Sequence, residues 1–190
     1  IIHHEASNSN IGYPELLYWT KSFLKRHLTP NDSFNIAFTS TRDTLYNNAW
    51  VQATPANIDV AINYISNNTV YIQSATFEQK IVLANSFIQS NGGVGEMLLA
   101  TNHNSTYTNS QVSSYIQNMD ASFAFKAPMD VINYFDARNN QPARAEALLR
   151  QLSDLFGGTY AGMDIQLVQN RCGLGLHLRF NRPSRHIEPI

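Results

Sequence analysis

Charge, cysteine and long apolar runs are all scarce in this chain, and each scarcity removes a class of protein. Asp, Glu, Lys and Arg together make up 14% of its 190 residues, against about 25% in an average soluble domain. The net charge is -1, so there is no broad basic stripe of the kind that releases counterions from nucleic acid. The densest basic cluster is Lys21, Lys25, Arg26 and His27, and on one helix it reads as a solvated face. The single cysteine, Cys172, excludes an intramolecular disulfide and a cysteine-built zinc cluster. No run approaches the roughly 20 apolar residues that cross a bilayer as a helix. The opening residues Ile1, Ile2, His3, His4 and Glu5 carry no signal-peptide pattern. Histidines spaced to share a zinc ion on one helix are missing, as is a Gly-rich loop leading into Lys-Ser or Lys-Thr.

Asn, Ser and Thr take the place of the missing charge. The surface is therefore polar but mostly uncharged, a style that favours an exported or extracytoplasmic setting. Hydrophobic residues reach 43%, and a chain of this size buries about 70% of its unfolded surface, enough for one core.

The pattern predicts an α+β fold: one domain, a mixed sheet with helices, and a C-terminal β-hairpin. Residues 1–12 read as a flexible arm, 13–182 as the domain and 183–190 as an irregular tail. A helix begins near Pro14, a good first-turn residue. Alternation over 33–40 predicts a strand. Thr54 and Pro55 cap and open a second helix. Residues 77–90 form a third helix, stopped by Asn91, Gly92 and Gly93. Short strands are expected at 69–73, 97–100 and 122–126, and a short helix at 110–119. Pro128 is expected to open a helix through Phe135. The strongest apolar stripe, Ala145, Leu148, Leu149, Leu152, Leu155 and Phe156, marks a helix from Pro142. Alternating strands at 164–169 and 174–180 would form the hairpin.

Two stretches share an unusual string. Residues 56–68 and 127–140 both contain Asp-Val, then Ile-Asn-Tyr, then a double Asn. Each precedes an amphipathic helix and a Gly-Gly. The pattern suggests two related strand-helix-helix-strand halves, 33–101 and 122–180.

The chemistry-bearing residues are few. Cys172 and His177 are the one thiol–imidazole pair close in sequence, the types a thiol nucleophile and its base require; no third orienting group is evident beyond the bare candidate Asp164. Phe38, Thr39, Ser40 and Thr41 resemble the aromatic-x-Ser-Thr strand of Arg-Ser-Glu-type ADP-ribosyltransferases. That resemblance implies a later Glu-x-Glu or Gln-x-Glu, which this chain lacks, leaving Ser40 and Thr41 with Glu78 or Glu96 as the alternative site. His3, His4 and Glu5 form at most a weak metal-binding arm, so neither a metal site nor a cofactor is expected. Glu146 and Arg150 are spaced for an i,i+4 ion pair. Aromatics concentrate at interfaces, which makes Tyr13, Tyr18, Trp50, Tyr107 and Tyr115 the candidate binding residues. The favoured reading is a non-catalytic interaction or assembly module, exported or envelope-associated, whose partner is another protein rather than nucleic acid. The alternative is an exported effector enzyme using Cys172 and His177 or the Ser/Thr-rich strand.

Overall fold

The structure is a computed structural model and describes residues 1–3, 13–37, 45–68, 77–103, 105–135 and 143–164. In chain order the elements are β1 (Ile2–His3), α1 (Tyr13–His27), β2 (Ser33–Phe34), β3 (Val51–Gln52), α2 (Pro55–Asn68), α3 (Phe77–Ser90), β4 (Met97–Thr101), α4 (Asn109–Ser122), β5 (Met129–Phe135), α5 (Ala143–Leu155) and β6 (Tyr160–Asp164). The result is a mixed α/β domain. Its main sheet has the order β1-β4-β5-β6, every pair parallel, and β2 and β3 form a small antiparallel hairpin. Ile2 N–H donates to Ala37 O at 2.8 Å, which brings the segment after β2 against the outer edge of β1.

Two apolar rows explain the layering. Side chains alternate along a strand, so Met97, Leu99, Met129 and Val131 fall on one face of the sheet. They pack with Ile81, Phe87 and Ile88 of α3, Val112 and Met119 of α4, and Leu148, Leu149 and Leu152 of α5. Ile2, Ala100, Ile132 and Tyr134 fall on the other face. There they meet Leu16 and Leu17 of α1, Ile58, Ala61 and Ile65 of α2, and Phe34 and Ile36 beside the hairpin. The sheet is thus covered on both sides, as parallel sheets need to be.

Local chemistry sets the ends of several elements. Thr54 Oγ1 accepts the Asn57 N–H at 3.2 Å and caps α2. Thr108 and Gln111 form a reciprocal capping box at the start of α4, which satisfies two otherwise orphaned groups. Gly157, at φ +65°, closes α5. Gly158 lies so close to β5 that an added Cβ would fall 1.9 Å from the Met129 carbonyl oxygen. Buried Asp130 then accepts both the N–H and the hydroxyl of Thr159, at 2.8 and 2.9 Å, and seats the start of β6. Asn85, 2% exposed, accepts from Ala127 N–H and donates to Phe125 O. It ties α3 to the turn before β5.

Several expectations need correction. Residues 122–126 are the end of α4 and a bend, not a strand, and 129–135 are strand β5 rather than a helix. Met129 and Val131 are buried on one face and Ile132 and Tyr134 on the other because β5 is a central strand, so the stretch lacks the alternation that marks a half-buried one. In consequence the shared Asp-Val and Ile-Asn-Tyr string is helix α2 in one copy and strand β5 in the other, which removes the structural basis for two related halves. Finally, Ile2 and His3, assigned to a flexible arm, form strand β1. The strand expected from residue 164 begins at Tyr160. The expected strand at 69–73 and the C-terminal hairpin lie outside the described residues.

Candidate binding crevice at the carboxyl edge of the sheet

Parallel register places His3 beside Thr101, Thr101 beside Asn133, and Asn133 beside Gly162. This is the last row of β1 and β4, while β5 and β6 run two residues further, and its chemistry changes abruptly. The rows beneath it are Met, Leu and Val, whereas this one is imidazole, hydroxyl and carboxamide. His3 is 4% exposed, Thr101 0% and Asn133 2%. Burying such groups without partners costs roughly 1–3 kcal/mol each by mutational measures, and the row meets that cost through an internal web. His3 Nδ1 and Thr101 Oγ1 are hydrogen-bonded at 2.9 Å. The backbone N–H of His103 donates to the same Oγ1 at 3.0 Å. His103 Nε2 and the Tyr107 hydroxyl are 2.7 Å apart, and the rings of His3 and His103 meet edge-on at 5.7 Å. Asn102 is buried between them in sequence.

Asn133 closes the row toward β6. The Asn133 carboxamide nitrogen donates toward the Tyr160 hydroxyl, while Asn133 Oδ1 is buried with no partner among the described residues. An acceptor so placed accommodates a donor from a group outside that set, a ligand or an ordered water. Burial raises the Tyr160 phenol above its ordinary value; Asn133 and Arg150 oppose that shift and Glu146 adds to it. The Arg150 guanidinium lies 4.5 Å over the Tyr160 ring and pairs with Glu146 at 2.6 Å, the i,i+4 pair expected from the sequence.

Topology singles out this edge. The chain leaving β1 next forms α1 on one face of the sheet, and the chain leaving β4 forms α4 on the opposite face. Neighbouring parallel strands whose connections diverge in this way leave a crevice at their carboxyl ends, where open α/β sheets bind ligands. His3, Thr101, Asn102 and His103 sit at that point. The opposite, amino edge offers a cavity of about 60 Å³ lined by Trp50, Phe87, Ile88, Glu96 and Met97 among others, too small for the usual ligand volume of roughly 300–1,000 Å³. No group of three His, Cys, Asp or Glu able to hold a metal ion occurs among the described residues.

The sequence-derived candidates fall in several places. Cys172, His177, Ser40 and Thr41 lie outside the described residues, as do His4 and Glu5. Tyr13 opens α1, its side chain outside the described set. Tyr18 is 57% exposed on α1. Trp50 is half-buried, packs edge-on against Phe87 at 4.9 Å and touches Gly95. Tyr115 sits on α4 with its hydroxyl buried; burial first and the Glu78 carboxylate second push its phenol well up. Of the four aromatics whose side chains are described, Tyr107 alone joins the crevice, through His103. The sequence reading missed Thr101, Asn102, His103 and Asn133, and took His3 only as part of a weak metal-binding arm. The available signal was an apolar run, Met97 to Ala100, ending abruptly in Thr-Asn-His.

No family model matches the chain, and no curated protein matches it. Among solved structures, it is similar to the crystal structure of an aerotolerance-related membrane protein from Bacteroides fragilis NCTC 9343 carrying multiple mutations to serines. Identity is 14%, the TM-score is 0.56, and the match covers 90% of this chain and 95% of the other. No helix among the described residues is long and apolar enough to cross a membrane. The likeness is one of fold: this chain shares the architecture of that domain over nearly its whole length.

Proposed function

We propose that this chain is a non-catalytic binding module of an exported or envelope-associated assembly, and that it engages a protein partner at the carboxyl-edge crevice between β1 and β4. The observation that carries the reading is the polar row His3–Thr101–Asn133 with His103 and Tyr107 at the switch point of the sheet. These buried groups are linked to one another and underlie the exposed loop at Thr106, which suits a preorganised support for a binding surface. The uncharged polar composition supports an extracytoplasmic setting, and the fold-sharing protein from Bacteroides fragilis is described as a membrane protein.

The test places a photo-crosslinking amino acid at Thr106, exposed in the loop after β4, and at Val94, 83% exposed at the opposite edge. Expressed in its native cells, the Thr106 probe should give a discrete protein adduct that excess unlabelled domain competes away. The Val94 probe should not. Equal labelling from both positions, or none from Thr106, contradicts the reading.

A further inference from the structure

Asn91 is the one asparagine of this chain followed directly by glycine, and the structure places that pair in an exposed turn at the end of α3. Three features meet there. Gly92 has φ +99°, and nothing lies within 4 Å of where its Cβ would be, so the turn is sterically open at its glycine. No hydrogen bond engages the Gly92 N–H among the described residues. The Asn91 N–H is split between Phe87 O at 3.1 Å and Ile88 O at 3.2 Å, a forked arrangement common at helix ends. Only the Asn91 carboxamide, donating to Phe87 O at 2.8 Å, holds the side chain back along the helix.

We infer that Asn91 is a self-modification site, converting to aspartate and isoaspartate by attack of the Gly92 backbone nitrogen on its carboxamide. The Gly92 nitrogen loses its proton and bonds to Asn91 Cγ. The Cγ–Nδ2 bond breaks, and ammonia leaves carrying that proton. Water then opens the five-membered succinimide at either carbonyl, giving aspartate or its β-linked isomer. No oxidant, metal or second protein is needed.

The product matters to the fold because of what Asn91 caps. Conversion removes the side-chain donor to Phe87 O and sets a carboxylate against the negative end of the α3 dipole. Phe87 and Ile88 belong to the core cluster beneath, so loosening the last turn of α3 reaches that core. The modification is therefore a one-way, time-dependent weakening of one helix end.

The test is peptide mapping of the purified full chain aged in mildly alkaline buffer, with aspartate and isoaspartate resolved at every asparagine. Asn91 should convert an order of magnitude faster than any other asparagine. It should give both isomers, together with faster amide exchange in the last turn of α3. Asn91→Gln, which keeps the amide but disfavours the ring, should abolish the main acidic species. Conversion at Asn91 no faster than at other asparagines would overturn the inference. So would its survival over a period in which a short peptide of residues 87–95 converts.

Discussion

His3 and Thr101, 98 positions apart in the chain, share a hydrogen bond of 2.9 Å at the carboxyl end of two neighbouring parallel strands. Thr101 is fully buried and also accepts the His103 N–H, so one hydroxyl holds two imidazole-bearing residues. Thr101→Val keeps the shape and removes the oxygen. It should cost about 1–3 kcal/mol, the penalty for leaving buried partners unmet, read as a lower denaturant midpoint at unchanged slope. Thr101→Ser should recover most of the loss. Equal stability of the Val and Thr proteins would mean that the web does not stiffen this edge.

The turn between α5 and β6 separates close approach from backbone conformation. At Gly158 a Cβ would collide with the Met129 backbone. Gly158→Ala should therefore cost more than about 3 kcal/mol, above the ordinary overpacking range. At Gly157, φ +65° with open space around it, alanine meets only left-handed strain of roughly 1–2 kcal/mol. Thermal melts of the two variants should differ in that order.

Asn85 gives a third stability test. Asn85→Leu leaves the Ala127 N–H and the Phe125 carbonyl without their partner, and two such losses should total roughly 2–5 kcal/mol. The damage should concentrate in the 123–128 turn, where amide exchange would quicken before global unfolding.

The helices were legible because their signals are local. Thr54 with Pro55, the 77–90 stripe and the leucine-rich face of α5 each lie within one element, and the structure has each as a helix. β5 was not legible. Val131, Ile132 and Tyr134 are buried on two faces, and a short apolar run with a Pro before it fits a helix as well as a strand. The crevice was less legible still. Its row exists only once β1, β4 and β5 are in register, and no window of sequence contains His3, Thr101 and Asn133 together.

Alkaline pH should expose the buried phenols. Burial raises Tyr134 above its ordinary value, and Tyr115 and Tyr160 are also raised. The folded values exceed the unfolded one, about 10, so their contribution is complete below that pH. As pH rises past it, the unfolded chain loses protons that the folded chain keeps, and stability falls. Tyr134→Phe should make the alkaline limb of the stability curve shallower and leave its slope near neutrality unchanged.

A binding module has no need of an activated thiol. Alkylation of Cys172 should proceed at the same rate in the parent chain and in His177→Ala. A rate that falls markedly in the His177 variant would favour the effector-enzyme alternative.

The most direct measurement is the affinity of the partner captured through Thr106 for two charge-bearing variants. Thr106→Arg alters the mouth of the crevice, and Gln117→Arg alters the exposed face of α4. If the carboxyl edge is the binding surface, Thr106→Arg weakens binding by at least an order of magnitude and Gln117→Arg leaves it unchanged. Equal affinities for both variants and the parent chain would contradict that assignment.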